Sequence, residues 1–175
     1  MRGHLFLHGD RGRSWSERDG ESQDELLAHA HRIAARLVGS GRGSAGRVVL
    51  ACAQVRTFVP GLLGAWLAGA TVELLPNVQP DTLDRVDADP EITHVLYDAA
   101  DRRGRAAKAV YLPSVLAERG PAPVPTAEPP RVAVRMTTSG TTARPSYVEK
   151  TLAQLVGEVD VLARVFAPAT AVVAT

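Results

Sequence analysis

The chain is poor in cysteine: Cys52 is the single thiol in 175 residues. One thiol excludes an internal disulfide and a multi-cysteine metal centre, and it fits a reducing compartment. Charge of one sign is also missing, since 20 Lys and Arg face 19 Asp and Glu for a net +1. A nucleic-acid footprint needs a clustered basic excess, so no nucleic-acid partner is expected. No apolar run approaches the roughly 20 residues of a membrane-spanning helix, so no membrane partner is expected either. The start, Met1 to His8, holds a short apolar stretch without a leader cleavage pattern. These absences together predict a cytoplasmic protein. There is no internal repeat. There is also no Gly-x-x-x-x-Gly-Lys-Ser/Thr, which excludes a Walker loop. The Gly/Ser-rich residues 39–46 follow a helix and precede a strand, the reverse of a dinucleotide fingerprint, and read as a flexible connection.

What is present is ordinary globular material. A hydrophobic fraction of 45% can build a sizeable core. Residues 4–8 read as a short strand. Ser22-Gln23-Asp24-Glu25 has the form of a capping box. Leu26, Leu27, Ala30, Ile33, Ala34, Leu37 and Val38 follow at helical spacing, with Gly39 and Gly41 available for a left-handed cap. Residues 47–53 form a near-continuous apolar run, as in a buried parallel strand. A helix through Phe58, Leu62, Leu63, Trp66 and Leu67 ends at Gly69, and a strand over 70–75, a turn over 76–80 and a helix over 81–88 come next. Strands are predicted at 93–98 and 109–112, then a helical turn over 113–118. Residues 120–130 hold five prolines and read as an extended connection. A strand over 131–136, a hydroxyl-rich loop, a helix from Leu152 to Phe166 stopped by Pro168, and a strand over 171–175 complete the chain. The layout predicts an α/β fold, a mostly parallel sheet flanked by helices. It divides into an α/β unit (1–118), the Pro-rich connection (119–130) and a phosphate-loop segment (131–175). Cys52 reads as a small core residue and His94 as a satisfied core or edge residue of its strand. His29 and His31, two apart on a helix, face different ways and cannot share a metal.

The stretch around which the chain is organised is Met136-Thr137-Thr138-Ser139-Gly140-Thr141-Thr142-Ala143-Arg144-Pro145-Ser146-Tyr147-Val148-Glu149-Lys150-Thr151. Five of its first seven residues carry hydroxyls. It lies between a strand and either a second strand or a helix. Hydroxyls and free backbone amides donate hydrogen bonds, and a nearby cation balances charge, so such a loop suits phosphate.

This run resembles the signature loop of the adenylate-forming enzymes (acyl-CoA synthetases, aryl-acid ligases, nonribosomal-peptide adenylation domains and luciferases). Its form there is Tyr/Phe-Thr-Ser-Gly-Thr/Ser-Thr-Gly-x-Pro-Lys-Gly-Val. Thr138, Ser139, Gly140, Thr141, Thr142, Pro145 and Val148 fall on the pattern in one register. Ala143 stands for Gly, Ser146 for Lys and Tyr147 for Gly. Lys150-Thr151 is similar to the end of the Pro-Lys-Pro-x-x-Lys-Thr form of some acyl-CoA-synthetase-like members.

The resemblance implies the N-terminal portion of the large domain of an acyl or aryl acid ligase. Such an enzyme converts ATP, with Mg²⁺, and a carboxylic acid substrate to acyl-AMP, then passes the acyl group to a thiol of CoA or an acyl carrier protein. It implies cofactor-binding roles for Thr138, Ser139, Gly140, Thr141, Thr142, Arg144 and Lys150, with Lys150 filling the place left at Ser146 and Arg144 the competing cation. No catalytic residue and no protein metal ligand is assigned. The adenine, ribose and lid segments of the family have no counterpart in these 175 residues, so a fragment or a split enzyme with a second chain is expected, inactive alone. The rival expectation is a catalytically inactive or truncated adenylation-like module acting as an interaction partner.

Overall fold

The first helix, α1 (Gln23–Gly39), starts as its cap dictates. The Glu25 amide donates to Ser22 Oγ at 3.2 Å, and the Ser22 amide donates to Glu25 Oε2 at 2.7 Å. Two orphan amides of the first turn are thereby satisfied. In this computed structural model the described residues are 22–40, 46–99, 108–121, 123–124, 127–138 and 146–166. The strands expected at 4–8 and 171–175 lie outside them. Leu26, Ala30, Ile33, Ala34 and Leu37 line the buried face of α1. Its end differs from expectation. Gly39 is helical, and Ser40 follows in a right-handed conformation, φ −71°. The Ser40 hydroxyl donates to the Leu37 carbonyl at 2.7 Å, so a side chain does the work assigned to a left-handed glycine. Gly41 lies outside the described residues.

Strand and helix then alternate as β1 (Arg47–Ala51), α2 (Val55–Leu67), β2 (Thr71–Leu74), α3 (Pro80–Ala88), β3 (Ile92–Tyr97), β4 (Ala109–Tyr111) and α4 (Leu112–Leu116). The chain finishes with β5 (Val134–Thr138), β6 (Ser146–Lys150) and α5 (Leu152–Phe166). Helix α2 does close on glycine. Gly69 has φ 76°, its amide donates to Trp66 O, and the Ala70 amide donates to Ala65 O. That pair of bonds satisfies the last carbonyls and turns the chain into β2.

The sheet order is β4-β3-β1-β2-β5-β6. All pairs are parallel except β5 with β6. Helices cover both faces, as a parallel sheet requires. Val48 and Leu50 of β1 join the core under α1, α2 and α4. Val49 and Ala51 join the opposite core with Val86 of α3. The period of two along one buried strand thus feeds two cores. Trp66 ties α2 to the right half of the sheet, its indole N–H donating to Ala133 O at 2.9 Å.

At the amino ends of the strands, Arg47 bridges Glu73 at 2.5 Å, Asp89 at 2.5 Å and Glu91 at 2.9 Å. Glu73 is a buried carboxylate, and this guanidinium neutralises it. None of the described helices is long and apolar enough to cross a membrane.

Candidate functional site

The hydroxyl-rich run is a strand-to-strand connection. β5 and β6 pair antiparallel, with Thr138 opposite Ser146 and Val134 opposite Lys150. Residues 139–145 therefore join the two strands beyond the Thr138–Ser146 pair. Of the expected phosphate-binding residues, Ser139, Gly140, Thr141, Thr142 and Arg144 lie outside the described residues. Thr138 is the last residue of β5, at the carboxyl end of the parallel strands. In open α/β sheets this end is where ligands sit. β2, the parallel neighbour of β5, ends on the same side and leads into an Asn77 turn. Asn77 Oδ1 accepts from the Gln79 amide at 3.1 Å and the Thr82 hydroxyl at 2.8 Å, shaping the entry to α3.

Lys150 is at the other end of the hairpin. It pairs with Val134, four residues before Thr138, about 13 Å at the rise of a strand. Its ammonium donates to both Glu158 oxygens, at 2.5 and 2.7 Å. The structure thus brings Thr138 and Ser146 together and sets Lys150 apart from them. Between them, the Arg135 guanidinium lies 3.7 Å from the Tyr147 ring centroid.

The carboxyl ends of β1 and β3 carry a feature that sequence reasoning missed. Asp98 follows β3 and is buried. It accepts from the Ala53 amide at 3.0 Å, the Gln54 amide at 2.9 Å and the Thr57 hydroxyl at 2.7 Å. Burial disfavours its charge, but the Thr57 hydroxyl and the two amides outweigh burial and hold its carboxyl below the ordinary range. The carboxylate thus ties the end of β3 to the residues that lead into α2, across 41 residues of sequence to Thr57. An aspartate closing an apolar strand was the available signal; its partners were not.

Cys52 follows β1, and burial, with the Asp98 charge, pushes its thiol up to about 12. It is protonated at neutral pH, which leaves no nucleophilic thiolate. His94 is a core residue, as its place on an apolar strand suggested. It is 3% exposed, with ring nitrogens 3.1 Å from Thr93 Oγ1 and 2.9 Å from Ser40 Oγ. It lies toward the amino ends of the strands, away from the hydroxyl run. Among the described residues no group of three His, Cys, Asp or Glu could hold a metal ion.

Comparison with known proteins gives one family match. The model of the AMP-binding enzyme family matches residues 16–173. No curated protein matches by sequence. Solved structures do match. VinN in complex with 3-methylaspartate has TM-score 0.67 and 27% identity, over 83% of this chain and 44% of that one. MatB from Rhodopseudomonas palustris has TM-score 0.68 and 22% identity, over 84% and 32%. The o-succinylbenzoate CoA synthetase MenE from Bacillus subtilis, in complex with its acyl-adenylate intermediate, has TM-score 0.66 and 18% identity, over 89% and 42%. The chain spans less than half the length of each. The latter two likenesses concern the fold, a mostly parallel sheet flanked by helices like that of the N-terminal domain of adenylate-forming ligases.

Proposed function

Since the chain belongs to the AMP-binding enzyme family and has the fold of the N-terminal portion of the adenylate-forming ligases, we propose that it supplies the ATP-phosphate loop of a ligase that activates a carboxylic acid as acyl-AMP. The observation that carries this reading is the position of the hydroxyl run, which leaves β5 at the carboxyl end of the parallel strands and returns as β6. Thr138, Ser139, Thr141 and Thr142 donate hydroxyl hydrogen bonds to phosphate oxygens. Gly140 lets the backbone amides approach. Arg144 adds charge, and its planar fork suits two parallel bonds to phosphate.

Residues 138–145 contain hydroxyls, amides and one cation but no carboxylate. That donor set fits an anion. It fits Mg²⁺ only as the ion that comes with the nucleotide, where it neutralises phosphate charge. The loop's own work is to hold the leaving pyrophosphate in line and offset the negative charge that grows on it as the carboxylate attacks the α-phosphate. That is electrostatic stabilisation by preorganised donors. The acyl group then passes to a thiol of CoA or of a carrier protein.

A second reading has its own support. Ser146 occupies the place of the family's lysine and is paired in β6, and Lys150 is held by Glu158. A loop with a single cation suits an adenylation-like module that binds a partner and does not turn over.

Pyrophosphate exchange separates the two. In the protein that carries this chain, carboxylate-dependent exchange is expected, and Thr141→Val/Thr142→Val should lower it about a hundredfold, the scale for loss of transition-state donors. The 175-residue chain alone should give none. Full exchange in the double variant, or carboxylate-dependent exchange by the isolated chain, overturns the assignment. No exchange with any fatty, aryl or amino acid establishes the module reading.

A further inference from the structure

A concave site that includes none of the hydroxyl-run residues lies between the C-terminal half of α1 and the segment that follows α4. Its volume is about 550 Å³, within the ~300–1,000 Å³ range of small-molecule sites. Arg32, Arg36 and Arg119 line it, with Glu118, Ser40 and Gly120. We propose that this cleft binds a small molecule through a phosphate monoester.

Arg32 and Arg36 are four apart on α1, so both project from one face about a turn apart. Like charges at this spacing repel on a helix. Arg119 adds a third cation from the opposite wall. Arg32 is anchored: one guanidinium nitrogen donates to Gly120 O at 3.2 Å, which ties the wall to the helix. The Arg36 and Arg119 guanidinium groups make no hydrogen bond or ion pair among the described residues, and neither does the Glu118 carboxylate. Three cations and one anion leave a local +2 in a chain whose total is +1.

Two alternatives fail on charge and shape. Arg36 sits in the last turn of α1 and compensates the helix dipole. That dipole amounts to about half a charge, so it accounts for one arginine and not for three. An acidic protein surface would suit a flat basic patch, whereas this site is a cleft. A phosphate monoester carries nearly two negative charges near neutrality, matching the local +2, and its three oxygens accept from guanidinium forks on both walls. A carboxylate brings one charge and leaves a local +1 unbalanced.

The test is a binding titration of the full chain with phenyl phosphate, with benzoate and an octaglutamate peptide in parallel, at constant ionic strength. Arg36→Gln and Arg119→Gln lie on different elements and are exposed, so each can be checked for an unchanged thermal midpoint. Arg144→Gln controls for phosphate held at the hydroxyl run. We expect saturable binding of phenyl phosphate with a cleft component that each cleft variant weakens about tenfold or more and that persists in Arg144→Gln. Absence of saturation, equal binding by the cleft variants, or loss only in Arg144→Gln overturns the site. Benzoate binding as tightly overturns the phosphate assignment. Octaglutamate binding more tightly than phenyl phosphate overturns the small-molecule assignment in favour of an acidic peptide.

Discussion

Asp98 is a single side chain that joins β3 to the start of α2, and its removal has a calculable signature. Asp98→Ala leaves the Ala53 and Gln54 amides without their acceptor. The expected loss is about 1–3 kcal/mol in urea unfolding, the cost of orphaned buried donors. Asp98→Asn keeps one acceptor oxygen and should cost less. The pH dependence has a definite sign. The folded pKa is depressed, so the charge contributes stability above the unfolded value of about 3.9 and loses it as pH falls through the folded value. The gap in stability between wild type and Asp98→Asn should therefore close below pH ~4. A gap that persists at low pH would mean that shape, not charge, is what Asp98 supplies. At the same scale, the two candidate cations of the hydroxyl run, Lys150 and Arg144, can be told apart by experiment. Lys150 reaches the loop only by leaving Glu158 and crossing four residues of hairpin, whereas Arg144 lies in the loop itself. In the protein that carries this chain, at fixed Mg²⁺, Arg144→Ala should weaken ATP binding about tenfold to a hundredfold, from roughly 1.5–3 kcal/mol of charged hydrogen bonding. Lys150→Ala should change it less than about twofold. The reverse ranking would place Lys150 over the phosphates.

At the scale of elements, α1 and α2 are held together by what is absent from α2. A Cβ on Gly64 would stand 2.7 Å from Ile33 Cβ and 2.9 Å from the Ala30 carbonyl oxygen. A backbone oxygen cannot rotate aside, so Gly64→Ala must push the two helices apart, at about 1–3 kcal/mol. Gly157 in α5 meets nothing within 4 Å. There the same substitution should stabilise the helix by about 0.5–1 kcal/mol. Thermal unfolding of the pair checks both signs, and equal effects would refute the close-approach argument. These helices also mark what could be read in advance. The capping box and the 3.6-residue spacing placed α1, and short apolar runs placed β1 to β4, because those signals are local; the strand expected over 131–136 lies at Val134–Thr138, so Thr137 and Thr138, read as loop, are paired with β6. β6 was not legible as a strand. Ser-Tyr-Val-Glu-Lys has four exposed residues of five and no buried stripe to announce itself. Nor was the order β4-β3-β1-β2-β5-β6, since pairing joins residues dozens apart through packing that no short window contains. The hydroxyl run was legible from its residue types alone. The distance of Lys150 from it was not, because that follows from the β5–β6 register.

For the whole molecule, the open question is what covers α5. Leu152 and Leu155 pack on the core, but Val156, Val159, Val161, Leu162 and Val165 are 37–69% exposed. Val156, Val159 and Leu162 lie along one stripe, and Val161 and Val165 fall on another. A helix apolar on more than one side is one that is buried on more than one side. Just before it in the chain, Tyr147 and Val148 of β6 are 44% and 41% exposed, on the terminal strand of the described sheet. A terminal strand next to an apolar helix is a ready pairing surface. The solved relatives carry more than half of their length outside the matched region, and in a polypeptide limited to these 175 residues this face meets water. Such a polypeptide is expected to self-associate and to bind a hydrophobic dye. Val159→Glu with Leu162→Glu places two like charges on the stripe and should shift sedimentation toward monomer and reduce dye fluorescence. The helix content should stay unchanged, because neither residue contributes to the core. A compact, dye-negative monomer of the unsubstituted chain at high concentration would show that the apolar face of α5 needs no cover.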